Sequence, residues 1–306
     1  MKNLEYINLP SNLELFAKQA VEGFITGMHK SPYHGFSVEF AEHRLYNTGE
    51  STKHIDWKLY GRTDKFFVKR YQEETNLRCQ IIIDASSSMY YPNFKNPDLK
   101  HPNKLLFSIY ASAVLMNLLK RQRDAVGMSI YSDNYDFYSP EKGSERHHQM
   151  LLNKSNGAAV VKPESKTTET YRYLHQIAEK IHRRSLIFVF TDMFQTSEDD
   201  EKLFEALRHL KHNKHEVVLF HVFDKGKELT FDFDNRPKRF IDIETGEYIN
   251  LYPDNIKDNY EKAVKEYFNN LRLKCGQYRI KYVEADINAG FNSILTTYMI
   301  ERQKFV

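Results

Sequence analysis

The chain has 306 residues, of which 41% are hydrophobic and 28% are charged, and its formal net charge is +3 at neutral pH. The apolar content is enough for a sizeable core, and the near balance of charge argues against a disordered chain and against an electrostatic binder of nucleic acid. Cys79 and Cys275 are the only two cysteines, which excludes a disulfide scaffold and predicts two buried thiols in a reducing compartment.

Residues 1–74 predict an N-terminal helix followed by an ordered extension. Apolar side chains recur at helical spacing over 13–28, and Ser11 is suited to cap that helix. The stretch that follows is irregular and polar, and only 66–71 has the pattern of a strand. Trp57, the single tryptophan, and the scarcity of glycine and proline favour an ordered extension over a linker. Its basic residues suggest a nucleic-acid or phosphate surface, but acidic residues between them dilute the charge, so we expect the stretch to pack against the core or to form part of a partner surface.

Residues 75–306 predict one α/β domain, because apolar strands and amphipathic helices alternate along them. The predicted strands cover 79–83, 125–131, 135–138, 185–190, 216–223 and 278–283. The predicted helices cover 105–119, 171–181, 201–210, 257–273 and 291–303. An insertion at about 228–252 predicts two small antiparallel strands. The expected fold is a doubly wound, mostly parallel sheet with helices on both faces.

Hydroxyl and carboxylate side chains follow the predicted core strands. Asp84, Ser86 and Ser88 come at the end of the first core strand, and Asp192 follows a later buried strand. Thr168 precedes the helix that leads into that later strand. Because ligands of such sheets bind beyond the carboxyl ends of the strands, we expect these side chains to converge. Their oxygens suit Mg²⁺, whereas the lack of histidine and cysteine disfavours zinc and copper.

The spacing Asp84-x-Ser86-x-Ser88, followed by Thr168 and Asp192, resembles the metal-ion-dependent adhesion site of von Willebrand factor A domains. The segment before it resembles the bacterial family catalogued as domain of unknown function 58. The motifs that carry this second resemblance are RLYNTGE (44–50), HIDW (54–57), GR (61–62), VKRYQEE (68–74) and, in the insertion, FIDIETGE (240–247). The resemblance extends over about 35–302 and implies a von Willebrand factor A-like fold.

The resemblance also implies roles for the site residues. Ser86 and Ser88 would contact the metal, Thr168 would contact it or a bound water, and Asp84 and Asp192 would hold it directly or through waters. Thr167 stands where the family often has a glycine, so the choice between the two threonines stays open. The residues favour Mg²⁺ or Mn²⁺ over the larger Ca²⁺.

A site built mostly from neutral hydroxyls leaves the ion much of its charge, so an aspartate or glutamate of another protein can bind to it. We therefore predict a non-enzymatic, metal-dependent protein-interaction module. Proteins of the family are commonly encoded beside AAA+ ATPases of the MoxR type, and the resemblance implies such a partner in a chaperone-like or assembly role.

The main alternative is a magnesium-dependent phosphohydrolase of the haloacid dehalogenase type that uses Asp84 and Asp192. Such enzymes place a second aspartate two residues after the first as a general acid, and this sequence has Ser86 there. The sequence also lacks the phosphate loop Gly-x-x-x-x-Gly-Lys-[Ser/Thr], so we do not expect the chain itself to be a P-loop ATPase.

The sequence also predicts where in the cell the protein is located. We expect no signal peptide and no membrane span, since no stretch reaches the roughly 18 apolar residues of a spanning helix, and we therefore expect a cytoplasmic protein.

The closely spaced His209, His212 and His215 are predicted to lie on a solvated surface, and His147 and His148 are predicted to be an exposed pair.

Overall fold

The computed structural model describes residues 13–29, 43–45, 57–69, 77–94, 97–132, 137–158, 170–193, 197–212, 214–242 and 246–302. The helices in these ranges are α1 (Leu13–His29), α2 (Trp57–Thr63), α3 (Lys104–Arg121), α4 (Glu145–Ala158), α5 (Thr170–Lys180), α6 (Ser197–His212), α7 (Lys257–Gln277) and α8 (Asn292–Arg302). The strands are β1 (His43–Leu45), β2 (Phe67–Lys69), β3 (Arg78–Asp84), β4 (Ala125–Tyr131), β5 (Phe137–Lys142), β6 (Leu186–Thr191), β7 (Glu216–Phe223), β8 (Lys238–Ile241), β9 (Tyr248–Leu251) and β10 (Lys281–Asp286).

Six strands form the central sheet in the order β10-β7-β6-β3-β4-β5. Neighbouring strands are parallel, except that β5 runs antiparallel to β4. The strand order turns outward in both directions from the centre, which is the doubly wound arrangement. The predicted fold class, a mostly parallel sheet flanked by helices, is therefore confirmed.

The two central strands are buried on both faces, as their unbroken apolar runs predict. Ile81 and Ile83 of β3 point into one hydrophobic core together with α1, α3 and α8. Ile82 of β3 and Val189 of β6 point into the opposite core, together with α5, α6 and α7. The register pairs Ile83 with Phe190, so β3 and β6 end side by side at one edge of the sheet.

The N-terminal helix α1 belongs to the first of these cores. The ring of Phe16 packs edge-on against Tyr110 of α3 at 4.8 Å and against Phe291, just before α8, at 5.7 Å. The predicted helix at 13–28 is thus confirmed, whereas Ser11 lies outside the described residues. The division of the chain at residues 74 and 75 stays a prediction.

Several elements differ from the sequence prediction. His147 and His148 lie within helix α4 and are buried rather than exposed. They face the core, and the Nε2 atom of His147 lies 3.1 Å from the carbonyl oxygen of Val126. Helix α7 continues to Gln277 because Cys275 extends the buried stripe of Leu271 by one turn. The last strand therefore starts at Lys281, three residues later than predicted.

The insertion contains the two predicted antiparallel strands, β8 and β9. It begins in a π-helical turn, Lys225–Leu229, directly after β7.

In the N-terminal extension, the predicted strand is confirmed by β2, while helix α2 was not predicted. Trp57 of α2 is 61% exposed, so the partner-surface hypothesis for this segment fits better than packing against the core. Within the described ranges, no helix is both long and apolar enough to cross a bilayer, and the cytoplasmic location stays a prediction.

Candidate functional site

Four of the five predicted site residues are described, and they lie at the same edge of the sheet. Asp84 is the last residue of β3, and Ser86 and Ser88 follow at the start of a short 3-10 turn. Asp192 is the residue after β6. We call these four residues the strand-end site. Thr168 and its neighbour Thr167 lie outside the described residues.

Hydrogen bonds fix the carboxylate of Asp84 within the protein. Its Oδ1 accepts a hydrogen bond from the backbone N–H of Ser86 at 2.9 Å, and its Oδ2 accepts one from the Thr191 hydroxyl at 2.8 Å. The residue is only 2% exposed. The hydroxyl oxygens of Ser86 and Ser88 lie 3.1 Å apart. The sequence prediction that β3 and β6 bring these groups together agrees with this geometry.

Burial and the negative charge of Asp192 raise the pKa of Asp84 to about 6, although hydrogen bonds from Ser86 and Thr191 act in the opposite direction. Two carboxylates thus share a site with little access to water. Such a pair is stabilised when positive charge is placed beside it.

Lys104 supplies part of that positive charge, and sequence reasoning missed it. It is the first residue of α3, is 1% exposed, and donates hydrogen bonds to Asp192 Oδ2 at 2.9 Å and to Glu228 Oε1 at 2.8 Å. Burial alone would lower the pKa of Lys104, but the charges of Asp192 and Glu228 outweigh burial and raise it. A lysine directly before a strongly apolar helix is the signal that could have identified it.

Met193, the residue after Asp192, has a left-handed backbone conformation, which is unusual for a residue other than glycine. Met193 has φ +57 and is 1% exposed. Its carbonyl oxygen accepts a short hydrogen bond from the Tyr267 hydroxyl, and its N–H donates to the Thr191 hydroxyl oxygen at 3.3 Å. A strained, buried residue at a strand end persists only where its surroundings fix it. The position of Asp192 is therefore imposed by the fold.

His221 of β7 adjoins the strand-end site and was also missed. It is fully buried, and its Nδ1 lies 2.6 Å from the hydroxyl oxygen of Tyr282. Burial lowers its pKa to about 4, although the charge of Asp192 acts against this. His221 is therefore neutral near pH 7 and adds no positive charge to the site.

The other histidines do not form a metal site in the part of the chain that the structure describes, where no group of three or more His, Cys, Asp or Glu side chains has metal-binding geometry. His212 is exposed as predicted. The surface prediction is wrong for His215, which is fully buried and whose Nδ1 accepts a hydrogen bond from the N–H of Ser185. His209 pairs with His175 of α5, with 2.9 Å between their Nδ1 atoms. Both cysteines are buried free thiols, as predicted.

The donor atoms of the strand-end site fit a small, hard divalent ion. The hydroxyl oxygens of Ser86 and Ser88, which lie within hydrogen-bond distance of each other at 3.1 Å, offer two neutral oxygen ligands side by side. The chemistry fits as well, because hydroxyl and carboxylate oxygens are the ligands that such ions prefer.

Comparison with known proteins assigns most of the chain to a family. Residues 42–269 match the family model described as Protein of unknown function DUF58. Uncharacterized proteins of Mycobacterium bovis and Mycobacterium tuberculosis are 31% identical over 77 residues, which are 25% of this chain and 24% of each relative. The alignment thus spans about a quarter of the length of these curated relatives.

Two solved structures show a distant similarity. One is the conserved hypothetical protein BatB from Bacteroides thetaiotaomicron, with a TM-score of 0.45 and 16% identity over 75% of this chain and 100% of that chain. The other is an aerotolerance-related membrane protein from Bacteroides fragilis with multiple mutations to serines, with a TM-score of 0.47 and 14% identity over 74% of this chain and 99% of that chain. The fold assignment rests on the strand order and not on these similarities.

Proposed function

The chain belongs to the family Protein of unknown function DUF58, and on that premise we propose that it is a non-enzymatic protein-interaction module that depends on a divalent ion, Mg²⁺ or Mn²⁺. The ion would be held at the strand-end site, with Thr168 as a further ligand. In this proposal the site corresponds to the metal-ion-dependent adhesion site of von Willebrand factor A domains.

The observation that supports the proposal is the pairing of Asp84 and Asp192 beside two hydroxyl groups. Their carboxylates are buried at the end of a sheet, where burial first and the charge of Asp192 second raise the pKa of Asp84. Ser86 and Ser88 add oxygen ligands without adding negative charge. A divalent ion held there would keep a coordination position occupied by water, and a carboxylate of a partner protein can replace that water.

The chemistry selects a partner that presents an aspartate or glutamate. The family resemblance suggests an AAA+ ATPase of the MoxR type, or a client of that ATPase, as the partner. The chain would then recognise its partner in a chaperone-like or complex-assembly role. This hypothesis requires that binding of the ATPase disappears when divalent ions are removed.

The alternative, a phosphohydrolase of the haloacid dehalogenase type, is less well supported by the geometry of Asp84. A nucleophilic carboxylate has to present an oxygen to the substrate. Both oxygens of Asp84 accept hydrogen bonds from the protein, and the residue is 2% exposed. Hydrolysis of p-nitrophenyl phosphate that depends on both Mg²⁺ and Asp84 would instead favour the enzyme.

We expect Mg²⁺ to stabilise the wild-type chain and not a Ser86→Ala, Ser88→Ala double variant, because the variant lacks two of the proposed ligands. An ion at about 100 times its dissociation constant adds about 2.7 kcal/mol to the free energy of unfolding. Thermal unfolding in EDTA and in MgCl₂ measures this difference, and isothermal titration calorimetry gives the affinity directly.

The matched control is Ser293→Ala, which removes the same hydroxyl from an exposed position in the first turn of α8. This variant should respond to Mg²⁺ as the wild type does. Equal stabilisation of the double variant and the wild type would show that the ion binds elsewhere. No stabilisation of the wild type by Mg²⁺ or Mn²⁺ up to millimolar concentration would contradict the proposed function.

A further inference from the structure

Lys104 connects the strand-end site to a second part of the molecule. Its ammonium group lies between two carboxylates, 2.9 Å from Asp192 Oδ2 and 2.8 Å from Glu228 Oε1. The Lys104 and Asp192 side chains are 2% and 3% exposed and that of Glu228 is 13% exposed, so water screens this arrangement little. A single buried cation is therefore shared between the site and the start of the insertion.

Glu228 fixes the turn from which the insertion leaves the sheet. Its Oε2 accepts a hydrogen bond from the backbone N–H of Asp224 at 2.7 Å, and its carbonyl oxygen accepts one from the Tyr260 hydroxyl at 3.0 Å. Asp224 in turn caps the π-helical turn, since its Oδ1 accepts hydrogen bonds from the N–H groups of Gly226 and Lys227. A change in the charge facing Glu228 therefore acts on the whole Lys225–Leu229 turn.

The insertion beyond this turn exposes side chains that are typical of interaction surfaces. Ile241 and Tyr248 are directly paired across β8 and β9, and each is 58% exposed. The guanidinium carbon of Arg239 lies 3.7 Å from the centre of the Tyr248 ring. Tyrosine and arginine are enriched among the residues that dominate binding at protein interfaces.

We infer that Lys104 couples occupancy of the strand-end site to the conformation of the insertion. The inference rests on the proposed function, because it requires a divalent ion at the site. Asp192 cannot fully compensate both a divalent ion and the ammonium group of Lys104, and the two positive charges repel each other. Filling the site therefore weakens the Lys104–Asp192 contact and shifts Lys104 towards Glu228, which stabilises the Lys225–Leu229 turn and the hairpin that follows it.

Substitutions of Lys104 and of its contact residue Glu228 should change the Mg²⁺ affinity in opposite directions. Lys104→Met removes the competing cation, so Mg²⁺ should bind about tenfold more tightly, within the usual range of coupling between sites. Glu228→Gln removes one of the two carboxylate charges that bind Lys104, so Lys104 interacts more strongly with Asp192 and Mg²⁺ should bind several-fold more weakly. Through-space electrostatics alone gives these two signs, so the affinities test the charge balance at the site, and the coupling itself is tested by the exchange measurement below. Isothermal titration with MgCl₂ measures both.

Hydrogen–deuterium exchange of peptides covering 225–251 gives the second measurement. In the wild type, Mg²⁺ should slow exchange in the Lys225–Leu229 turn and in β8 and β9. In Lys104→Met and in Glu228→Gln this Mg²⁺-dependent change should be lost, because the link is broken at one end or the other. Lys265→Met, which breaks an exposed ion pair with Glu261 on α7, is the matched control and should behave as the wild type.

The outcomes separate the two proposals. Absence of Mg²⁺ binding to the wild-type chain would overturn both the proposed function and this inference. Wild-type binding with unchanged exchange at 225–251, or with affinity shifts of the same sign in both variants, would overturn the inference alone. If Lys104→Met does not fold, the isosteric Glu228→Gln variant decides the question through its affinity and its exchange.

Discussion

A Gly127→Ala variant is expected to lose about 3 kcal/mol of folding free energy, at the upper end of the cost of overpacking a core. A Cβ atom at this position would lie 2.1 Å from Gln80 Oε1, 2.6 Å from the carbonyl oxygen of Ser139 and 2.9 Å from the backbone nitrogen of Glu141. Two of these atoms belong to the backbone of β5, so relief requires movement of a strand and not only of a side chain.

The surroundings of Gly127 leave little room for that movement. The Nε2 atom of Gln80, which is fully buried, donates hydrogen bonds to the Ser129 hydroxyl at 2.8 Å and to the Ser139 carbonyl oxygen at 3.4 Å. The register between β4 and β5 also shifts at this point, between Val126 and Met128. Pushing β5 away therefore strains the hydrogen bonds that join three strands of the sheet.

Urea denaturation measures this effect as a lower midpoint at an unchanged slope. The matched control is Gly157→Ala in α4, where an added Cβ meets nothing within 4 Å. Because alanine favours a helix more than glycine does, this control should be stabilised, by up to about 1 kcal/mol. Similar stability of Gly127→Ala and the wild type would mean that β4 and β5 approach each other less closely than described.

Gly127 illustrates what the sequence could not predict. The strand at 125–131 is evident from its apolar residues, and it was predicted with the observed bounds. The need for glycine within it comes from Gln80 and Ser139, which are distant in sequence and approach only when the sheet forms. A glycine in a strand pattern indicates a close approach of some kind, but not which neighbour makes it.

The sequence likewise locates some residues in and around the strand-end site and not others. Asp84 and Asp192 could be located because each follows a buried strand, and the position of strand ends is a local property of the sequence. His221 and Glu228 could not be located, and the position of Lys104 at the start of an apolar helix does not name its partners, because burial and pairing depend on how α3, β7 and the insertion pack together. In general, residues that ligate from strand ends can be predicted more readily than the residues that balance their charge.

An Asp84→Asn variant is expected to be more stable than the wild type at pH 7.5 without divalent ions, by about 1–3 kcal/mol. Burial and the charge of Asp192 raise the pKa of Asp84 from 3.8 to about 6. At pH 7.5 the wild type therefore carries a buried charge that the unfolded chain accommodates more easily, and one pKa unit corresponds to about 1.4 kcal/mol. Asparagine keeps an oxygen that can accept the Ser86 hydrogen bond but carries no charge.

The pH dependence of this difference follows from the direction of the shift. Because the pKa of Asp84 is higher in the folded chain, protonation stabilises the fold. That stability is fully present below pH 3.8 and is lost as the pH rises through about 6. The advantage of Asp84→Asn should therefore shrink as the pH falls from 7.5 to 5. Burial lowers the pKa of His215 and His221 to about 4. The substitution changes neither histidine, so their contributions largely cancel, and the remaining difference belongs to the coupled pair of Asp84 and Asp192.

Addition of Mg²⁺ should reverse the order of stability at pH 7.5. The wild type should gain stability because the ion compensates the charge of Asp84 and Asp192, whereas Asp84→Asn should gain little. Asp232→Asn, at an exposed position, is the control and should stay within about 0.5 kcal/mol of the wild type under all conditions.

If Asp84→Asn is instead less stable than the wild type without Mg²⁺, then Lys104 and the hydrogen bonds already satisfy the charge, and the main reason to place a metal there is lost. A gain without Mg²⁺ and a loss of the Mg²⁺ response would together show that Asp84 is retained for binding at a cost in stability.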